Sequence, residues 1–416
     1  MQNVLFFLFR LYGGGTERVV SNISQALGDE CNIKIAIYDD EDKTYPFKGE
    51  LIRIKLPFSS DTINNSMWKR QVRLLFLIYR LRHLKRRLRI DTTISFGEQA
   101  NIINMLTKGK GRTLLSVRST LSREMAIQPK MDVLKPFIRR LYNHAGKIIL
   151  PSKSAAMDLS DHFGVLSKKI QVIYNFIDPE KITQLASEGL SNAFYDQLLS
   201  KRILLNVGRI TPAKGQWLLV KALSRIRKER KDFKLVIIGE SDKEGSIKNG
   251  LFAIAYDLGL KIFDADSNQI PSLDFDIYLL GFKPNPFPFM KKSEIMVFPS
   301  VFEGFPNTIL EAMQCGLPVI SADCVSGPRE IMAPGSDLRT KSKTWELTEF
   351  GLLCPALPNG DPMSETPEYI LAAWIEAIQR LAEDEDLKKK FIENGYRRVT
   401  DFLKDNIINQ WRESLL

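Results

Sequence analysis

Glu303 and Glu311 stand eight residues apart in a stretch whose other residues suit the capture of an anion. Ile295 to Phe298 is a short apolar run closed by Pro299 and reads as a buried strand. Thr308 to Gln314 reads as a helix, with Thr308 and Glu311 at capping-box spacing and Gly316 and Pro318 as the stop. Val319-Ile320 then begins a second buried strand. Glu303, Gly304 and Asn307 therefore fall on a loop at the mouth of a helix. Free backbone N–H groups and the helix dipole there favour a negative group. The plainer alternative is that Glu311 only caps and Glu303 is a solvated loop carboxylate. Gly304 and Pro306 argue against it, because they hold the loop tightly around Glu303.

Three further loops carry residues of the right kind. Gly13-Gly14-Gly15 follows the run Val4 to Phe9 and precedes the helical pattern Val19, Val20, Ile23, Ala26 and Leu27. With Lys34 to Tyr38 next, this is a βαβ unit with a glycine loop that lets the backbone approach a ligand. It is not the dinucleotide fingerprint, because Arg18 stands where the last glycine belongs. A second unit runs from Ile203–Val207 through Gly208-Arg209 and Lys214-Gly215 to a helix from Trp217 and a strand at Leu235–Ile238. Arg209 and Lys214 sit where α/β sheets bind ligands, and two cations suit a diphosphate. Arg118 ends the strand Thr113–Val117. It can hold an anion bidentately but cannot serve as a base at neutral pH.

A chain of 416 residues exceeds one ordinary core, so two domains are expected. Apolar residues make up 44% and charged ones 26%, which excludes wholesale disorder. The net charge of +10 points to an anionic partner. Four cysteines without a C-x-x-C pair, and only three histidines, speak against a zinc site or a disulfide framework and for a reducing cytosol. Val4 to Phe9 is too short for a signal peptide or a spanning helix and reads as a first strand.

The stretch 67–90 is the most charged. It holds nine lysines and arginines, among them Lys69, Arg73, Arg80 and Arg87 on one stripe, and no acidic residue. Leu74, Leu77, Ile78, Leu81, Leu84 and Leu88 recur at helical spacing. A basic amphipathic helix of this kind suits an anionic membrane surface, and contact is expected to be mainly electrostatic. No aromatic interleaving or binding motif supports a nucleic-acid partner. Asp264/Asp266 and Asp274/Asp276 have D-x-D spacing, which can hold a divalent metal, but they fall in what reads as a polar insertion over 240–276.

The segment Phe298 to Ile320 resembles the glutamate-x7-glutamate motif of retaining glycosyltransferases of family 4, and members that build bacterial surface polysaccharides in particular. The resemblance implies that Glu303 acts at the sugar as a catalytic residue and Glu311 holds the ribose. It places Gly14, Gly15, Arg209, Lys214, Gly304, Phe305, Asn307 and Thr308 at the donor. Family members often carry His where this chain has Arg118, so the catalytic role of Arg118 is a departure. The implied fold is α/β, two Rossmann-like doubly wound domains facing a cleft, the GT-B arrangement. The expected division is 1–185, a linker at 186–200 and 201–400, with 401–416 packing back on the first domain. The implied reaction moves a sugar from a nucleotide-diphosphate donor, a UDP-sugar for preference, to a glycan or polyprenyl-diphosphate-linked acceptor. No metal and no cofactor are implied, and the expected location is cytoplasmic, peripheral on the inner face of the cell membrane. A non-catalytic GT-B-like binding protein and an NAD-dependent oxidoreductase are the alternatives.

Overall fold

The computed structural model describes residues 1–39, 45–58, 67–190, 192–241, 245–358, 360–361 and 364–416. The chain forms two compact units, Met1–Phe176 with Lys404–Leu416, and Ile177–Leu403.

The first unit is a parallel sheet of strands β1 (Asn3–Leu8), β2 (Asn32–Ile37), β3 (Glu50–Arg53), β4 (Thr92–Phe96), β5 (Arg112–Ser116), β6 (Lys147–Leu150) and β7 (Ile170–Val172). Their order is β3-β2-β1-β4-β5-β6-β7, and every pairing is parallel. Helices cover both faces of such a sheet, which is why β1 reads as an unbroken apolar run. Its even positions Val4, Phe6 and Leu8 enter one core, and Leu5 and Phe7 enter another. The chain turns outward in opposite directions from β1 and from β4, so the carboxyl ends of these two strands flank the switch point where doubly wound sheets bind ligands.

The second unit holds β8 (Arg202–Val207), β9 (Phe233–Ile238), β10 (Ile262–Asp264), β11 (Ile277–Leu279), β12 (Ile295–Phe298), β13 (Val319–Ala322), β14 (Glu346–Leu347) and β15 (Leu352–Cys354). The order is β10-β11-β9-β8-β12-β13-β15-β14, parallel except for β14 at the edge. Its switch point lies between β8 and β12.

The C-terminal helix Lys404–Leu415 belongs to the first unit, where Ile407, Ile408, Trp411 and Leu415 join the core of Val4, Val20, Ile23 and Leu27. Polar contacts fasten it: Arg112 Nη2 donates to Ser414 O at 2.6 Å, and Gln2 Nε2 to Leu416 O at 2.7 Å.

Three expectations need correction. The linker placed at 186–200 is not an extended connector. The helices Pro179–Ala186 and Ala193–Leu198 fill this region and pack within the second unit, and the division falls at 176/177. Asp178 and Asn192 cap them, accepting from Lys181 N and Phe194 N, so a stretch with little strand pattern still has strong helix starts. Residues 240–276 are not merely a polar stretch either, since Ile247, Leu251, Ile254 and Ala255 are buried. Where described, they supply the helix Ser246–Asp257 and the edge strand β10. Lastly, Thr308 does not cap its helix. The helix spans Asn307–Gln314 behind Pro306, without a side-chain cap, so Thr308 lies inside the first turn.

Candidate functional site

The second unit brings together Lys214, Glu303 and Arg209. Lys214 ends the short turn Pro212–Lys214 after β8, and Glu303 lies on the loop after β12; the two side chains form an ion pair. Lys214 Nζ also sits 5.4 Å from the centroid of the Phe298 ring. The ammonium is thus held between a carboxylate and an aromatic face, at the switch point of the sheet. The loops are tied through their backbones, since Val301 N donates to Ala213 O at 2.9 Å. Gly215 permits this approach. Its φ is +64°, and a Cβ there would lie 2.4 Å from Pro299 O. Arg209 is exposed, with no ion pair among the described residues.

Buried amides brace the β8 loop from beneath. Gln216 Nε2 donates to Arg209 O at 2.9 Å, and Asn206 Nδ2 donates to Val297 O at 2.8 Å across to β12. Sequence reading missed both; a Gln straight after the glycine that starts a helix was their only signal.

Gly304, Phe305 and Pro306 are buried, and Asn307 and Thr308 are half-buried at the helix start. Ser326 Oγ donates to Gly304 O at 2.8 Å. Gly327, at φ +94°, packs so closely that a Cβ would lie 2.2 Å from Pro306 Cδ. Phe305 meets the Phe402 ring with centroids 5.4 Å apart. The Glu303 loop is therefore clamped from two sides. Glu311 is buried on the helix that follows. The first turn is less open than expected: Asn307 N donates to Phe305 O and Ile309 N to Pro306 O, each at 3.1 Å. The cations of the β8 loop consequently carry more of any anion binding than the helix end does. Cys324 lies close by, its thiol pushed up to about 12 by burial and by the Glu303 carboxylate.

The remaining candidates lie in the first unit. Gly14 and Gly15 open the helix Gly15–Leu27 behind Gly13, whose φ is +89°. This loop leaves β1 at the switch point of the first sheet. Arg118 follows β5 and is half-buried, its Nη2 bonded to Asn175 Oδ1. Its Nη1 is buried and has no hydrogen-bond partner among the described residues. Burial lowers its pKa to about 10, so it stays cationic at neutral pH.

Glu98 escaped sequence reading. It starts the helix Glu98–Leu106 after β4, at the same switch point, and accepts a hydrogen bond from Tyr142 Oη. Burial raises its carboxyl from its ordinary 4.5 to about 8, against the lowering effect of the Tyr142 hydroxyl. The folded state thus holds this proton more tightly than the unfolded chain does. The resulting stability is fully present below pH 4.5 and is lost as pH rises through 8. Glu98→Gln has no proton to lose. Denaturation midpoints measured from pH 4.5 to 8 should fall less steeply for this variant than for the parent. The difference should be at most about 1.4 kcal/mol per pH unit, and equal slopes would refute the burial effect.

Of the aspartates with metal-ligand spacing, Asp264, Asp266 and Asp276 have cationic partners, and Asp274 accepts from Ser272 Oγ at 3.0 Å. Lys248 Nζ lies 2.7 Å from Asp264 and 3.1 Å from Asp266, and Asp276 pairs with Arg227 at 2.7 Å. Among the described residues no group of three or more His, Cys, Asp or Glu could hold a metal ion.

Comparison with known proteins accords with this geometry. Residues 13–181 match the model "Glycosyltransferase Family 4", and residues 201–355 match "Glycosyl transferases group 1". A Campylobacter jejuni N-acetylgalactosamine-N,N'-diacetylbacillosaminyl-diphospho-undecaprenol 4-alpha-N-acetylgalactosaminyltransferase is 29% identical over 100% of both chains. An uncharacterised glycosyltransferase of Methanocaldococcus jannaschii is 29% identical over 88% of each. Among solved structures, Anabaena HepE in complex with UDP and glucose superposes with a TM-score of 0.73 at 18% identity, covering 100% of this chain and 99% of that one. WaaG, of lipopolysaccharide biosynthesis, gives 0.70 at 14%, covering 99% of each. Both likenesses speak to the fold, which is GT-B. With one family model on each Rossmann-like unit, the chain belongs to the glycosyltransferases, a family 4 domain followed by a group 1 domain.

Proposed function

We propose that the protein moves a sugar, with retention of anomeric configuration, from a nucleoside diphosphate donor to a hydroxyl of a glycan or polyprenyl-diphosphate-linked acceptor. UDP is the favoured nucleotide. The observation that carries this reading is the meeting of Lys214 and Glu303 at the switch point of the second sheet, on the loop that also carries the exposed Arg209. The Campylobacter relative, named for an undecaprenol-diphosphate acceptor, and the UDP and glucose bound by HepE favour the same substrates.

The chemistry follows from these groups. The bond between the sugar C1 and the β-phosphate oxygen breaks, and its electron pair leaves with the diphosphate. Arg209 and Lys214 neutralise that charge, in a site whose donors are already oriented. An incoming phosphate competes with Glu303 for the Lys214 ammonium. Donor binding therefore frees the Glu303 carboxylate to hold the sugar hydroxyls and the cationic character of the ring. Glu311 takes the ribose; Gly304, Phe305, Asn307 and Thr308 shape the donor loop. The acceptor oxygen bonds to C1 on the face the phosphate leaves, and its proton passes to the departing phosphate oxygen. In the first unit Arg118, with one buried nitrogen lacking a hydrogen-bond partner among the described residues, has a donor to offer an anion. Gly14 and Gly15 let the backbone of that unit approach a ligand closely.

Two cations do the work a divalent metal does elsewhere, so turnover should survive excess chelator. Loss with EDTA and recovery with magnesium would return the aspartate pairs to consideration. The anomeric proton of the product, followed by NMR from the start of the reaction, tests retention. Its coupling should match that of the donor, and inversion would refute the front-face route. A membrane-linked acceptor places the enzyme peripherally on the inner face of the cell membrane.

A further inference from the structure

Arg329 lies buried on the helix Pro328–Met332 of the second unit, and two carboxylates share its guanidinium. Nε donates to both Asp323 oxygens at 3.0 and 3.1 Å, and Nη2 donates to Asp323 Oδ2 at 2.6 Å. Nη1 and Nη2 reach the Glu346 carboxylate at 3.3 and 2.6 Å. Ser342 joins the same acids, its N donating to Asp323 Oδ2 at 2.8 Å and its Oγ to Glu346 Oε2 at 2.9 Å. Asp323 directly follows β13, and Glu346 begins the edge strand β14. Arg329 therefore ties the loop after β13 to the edge of the sheet. Lys341 adds a further tie, Nζ donating to Cys324 O at 3.0 Å.

A buried ionic cluster of this kind is a weak source of stability, because desolvation offsets much of the attraction and apolar side chains of similar volume often serve as well. What it supplies is geometry. The guanidinium holds its donors in a fixed plane, so the carboxylates it binds are fixed in direction as well as distance. The loop held in this way, Asp323–Gly327, lies against the Glu303 loop. β13 pairs with β12, Ser326 Oγ donates to Gly304 O, and Gly327 packs on Pro306. We infer that Arg329 is a positioning residue for sugar transfer: through the Asp323–Gly327 loop it sets the backbone that carries Glu303. The inference rests on the reaction proposed above and makes the edge of the sheet at β14 part of the support of that site. Arg209 and Lys214 lie after β8, on the opposite side of β12 from β13. Loosening the β13 loop should therefore lower turnover while the cations go on binding diphosphate.

The test compares the full chain with Arg329→Lys, which keeps the charge and loses the planar fork, and Ser326→Ala, which removes the side-chain bond to Gly304. Each should cut kcat roughly tenfold or more, while the dissociation constant of UDP, measured by calorimetry, stays within about twofold of the parent. Thiol labelling with iodoacetamide, read peptide by peptide in a mass spectrometer, follows the loop itself. Cys324 is buried in it, and Cys354 is buried in β15 of the same unit. Arg329→Lys should speed labelling of Cys324 roughly tenfold and leave Cys354 as in the parent, because the loop opens without the unit unfolding. Glu346→Gln removes one of the two charges from a side chain that is 40% exposed and should give the same pattern at smaller size, so misfolding of Arg329→Lys does not end the test. Equal acceleration at Cys324 and Cys354, or loss of UDP binding along with turnover, would overturn the inference and leave the cluster as a prop for the whole unit. Parental turnover with Cys324 released, or labelling of Cys324 that no variant changes, would overturn it too. A parent that binds no UDP and transfers from no nucleotide sugar would refute the reaction proposed above instead, and the labelling pattern alone would then decide whether Arg329 fixes the loop.

Discussion

Replacing Lys214 or Arg209 with Ala should cut turnover by roughly 100-fold or more in each case, the usual result of removing one charge-stabilising group from a preorganised site. The two variants should differ in kind. Lys214→Ala also removes the ammonium paired with the Glu303 carboxylate, which is mostly buried. It should therefore lose stability as well as rate. Arg209 has no such partner among the described residues, so Arg209→Ala should fold as well as the parent. Steady-state kinetics beside denaturant unfolding separates the effects. Turnover within about threefold of the parent in both variants, with folding intact, would remove the diphosphate role from this loop.

Trp411→Ala should destabilise the first unit by about 3–5 kcal/mol, the usual cost of emptying a buried aromatic site. Trp411 is 1% exposed and lies among Val4, Val20, Ile23 and Leu27, far away in sequence. Its helix is held otherwise by Ile407, Ile408 and Leu415 in the same core and by surface contacts such as the exposed Arg412–Glu30 ion pair, which adds little. Trp411→Phe keeps much of the volume and should cost less. Unfolding followed by a probe in the first unit gives the measurement. A loss below about 1 kcal/mol for the Ala variant would mean that the C-terminal helix adds little to that core.

Much of the sheet framework was legible because parallel strands buried on both faces are written as apolar runs. Val4 to Phe9, Ile203 to Val207 and Ile295 to Phe298 match β1, β8 and β12 within a residue or so. The loops after β8 and β12 were legible through glycines, prolines and unlike charges at strand ends. What escaped notice was pairing across distance. Nothing local in the sequence joins Lys214 to Glu303, Arg118 to Asn175, or Glu98 to Tyr142. The helix start at Asn307 was misread because Thr308 and Glu311 have the spacing of a capping box, whereas Pro306 sets the boundary one residue earlier. The inward face of Met67–Arg87 was only partly legible, since Leu74 of the expected row is exposed. Two opposite apolar rows on one helix blur a single hydrophobic period, and only the packing of Leu77, Leu81 and Leu84 tells which row is inside.

The most direct test of the central claim is acceptor-dependent release of free nucleoside diphosphate from a panel of nucleotide sugars, with glycan and polyprenyl-diphosphate-linked acceptors supplied in turn. One donor, a UDP-sugar, should release its diphosphate only when the right acceptor is present, and the Lys214→Ala protein should release roughly 100-fold less under the same conditions. Release of no diphosphate from any donor by folded protein, or release that Lys214→Ala leaves untouched, would contradict transfer at the Lys214–Glu303 site.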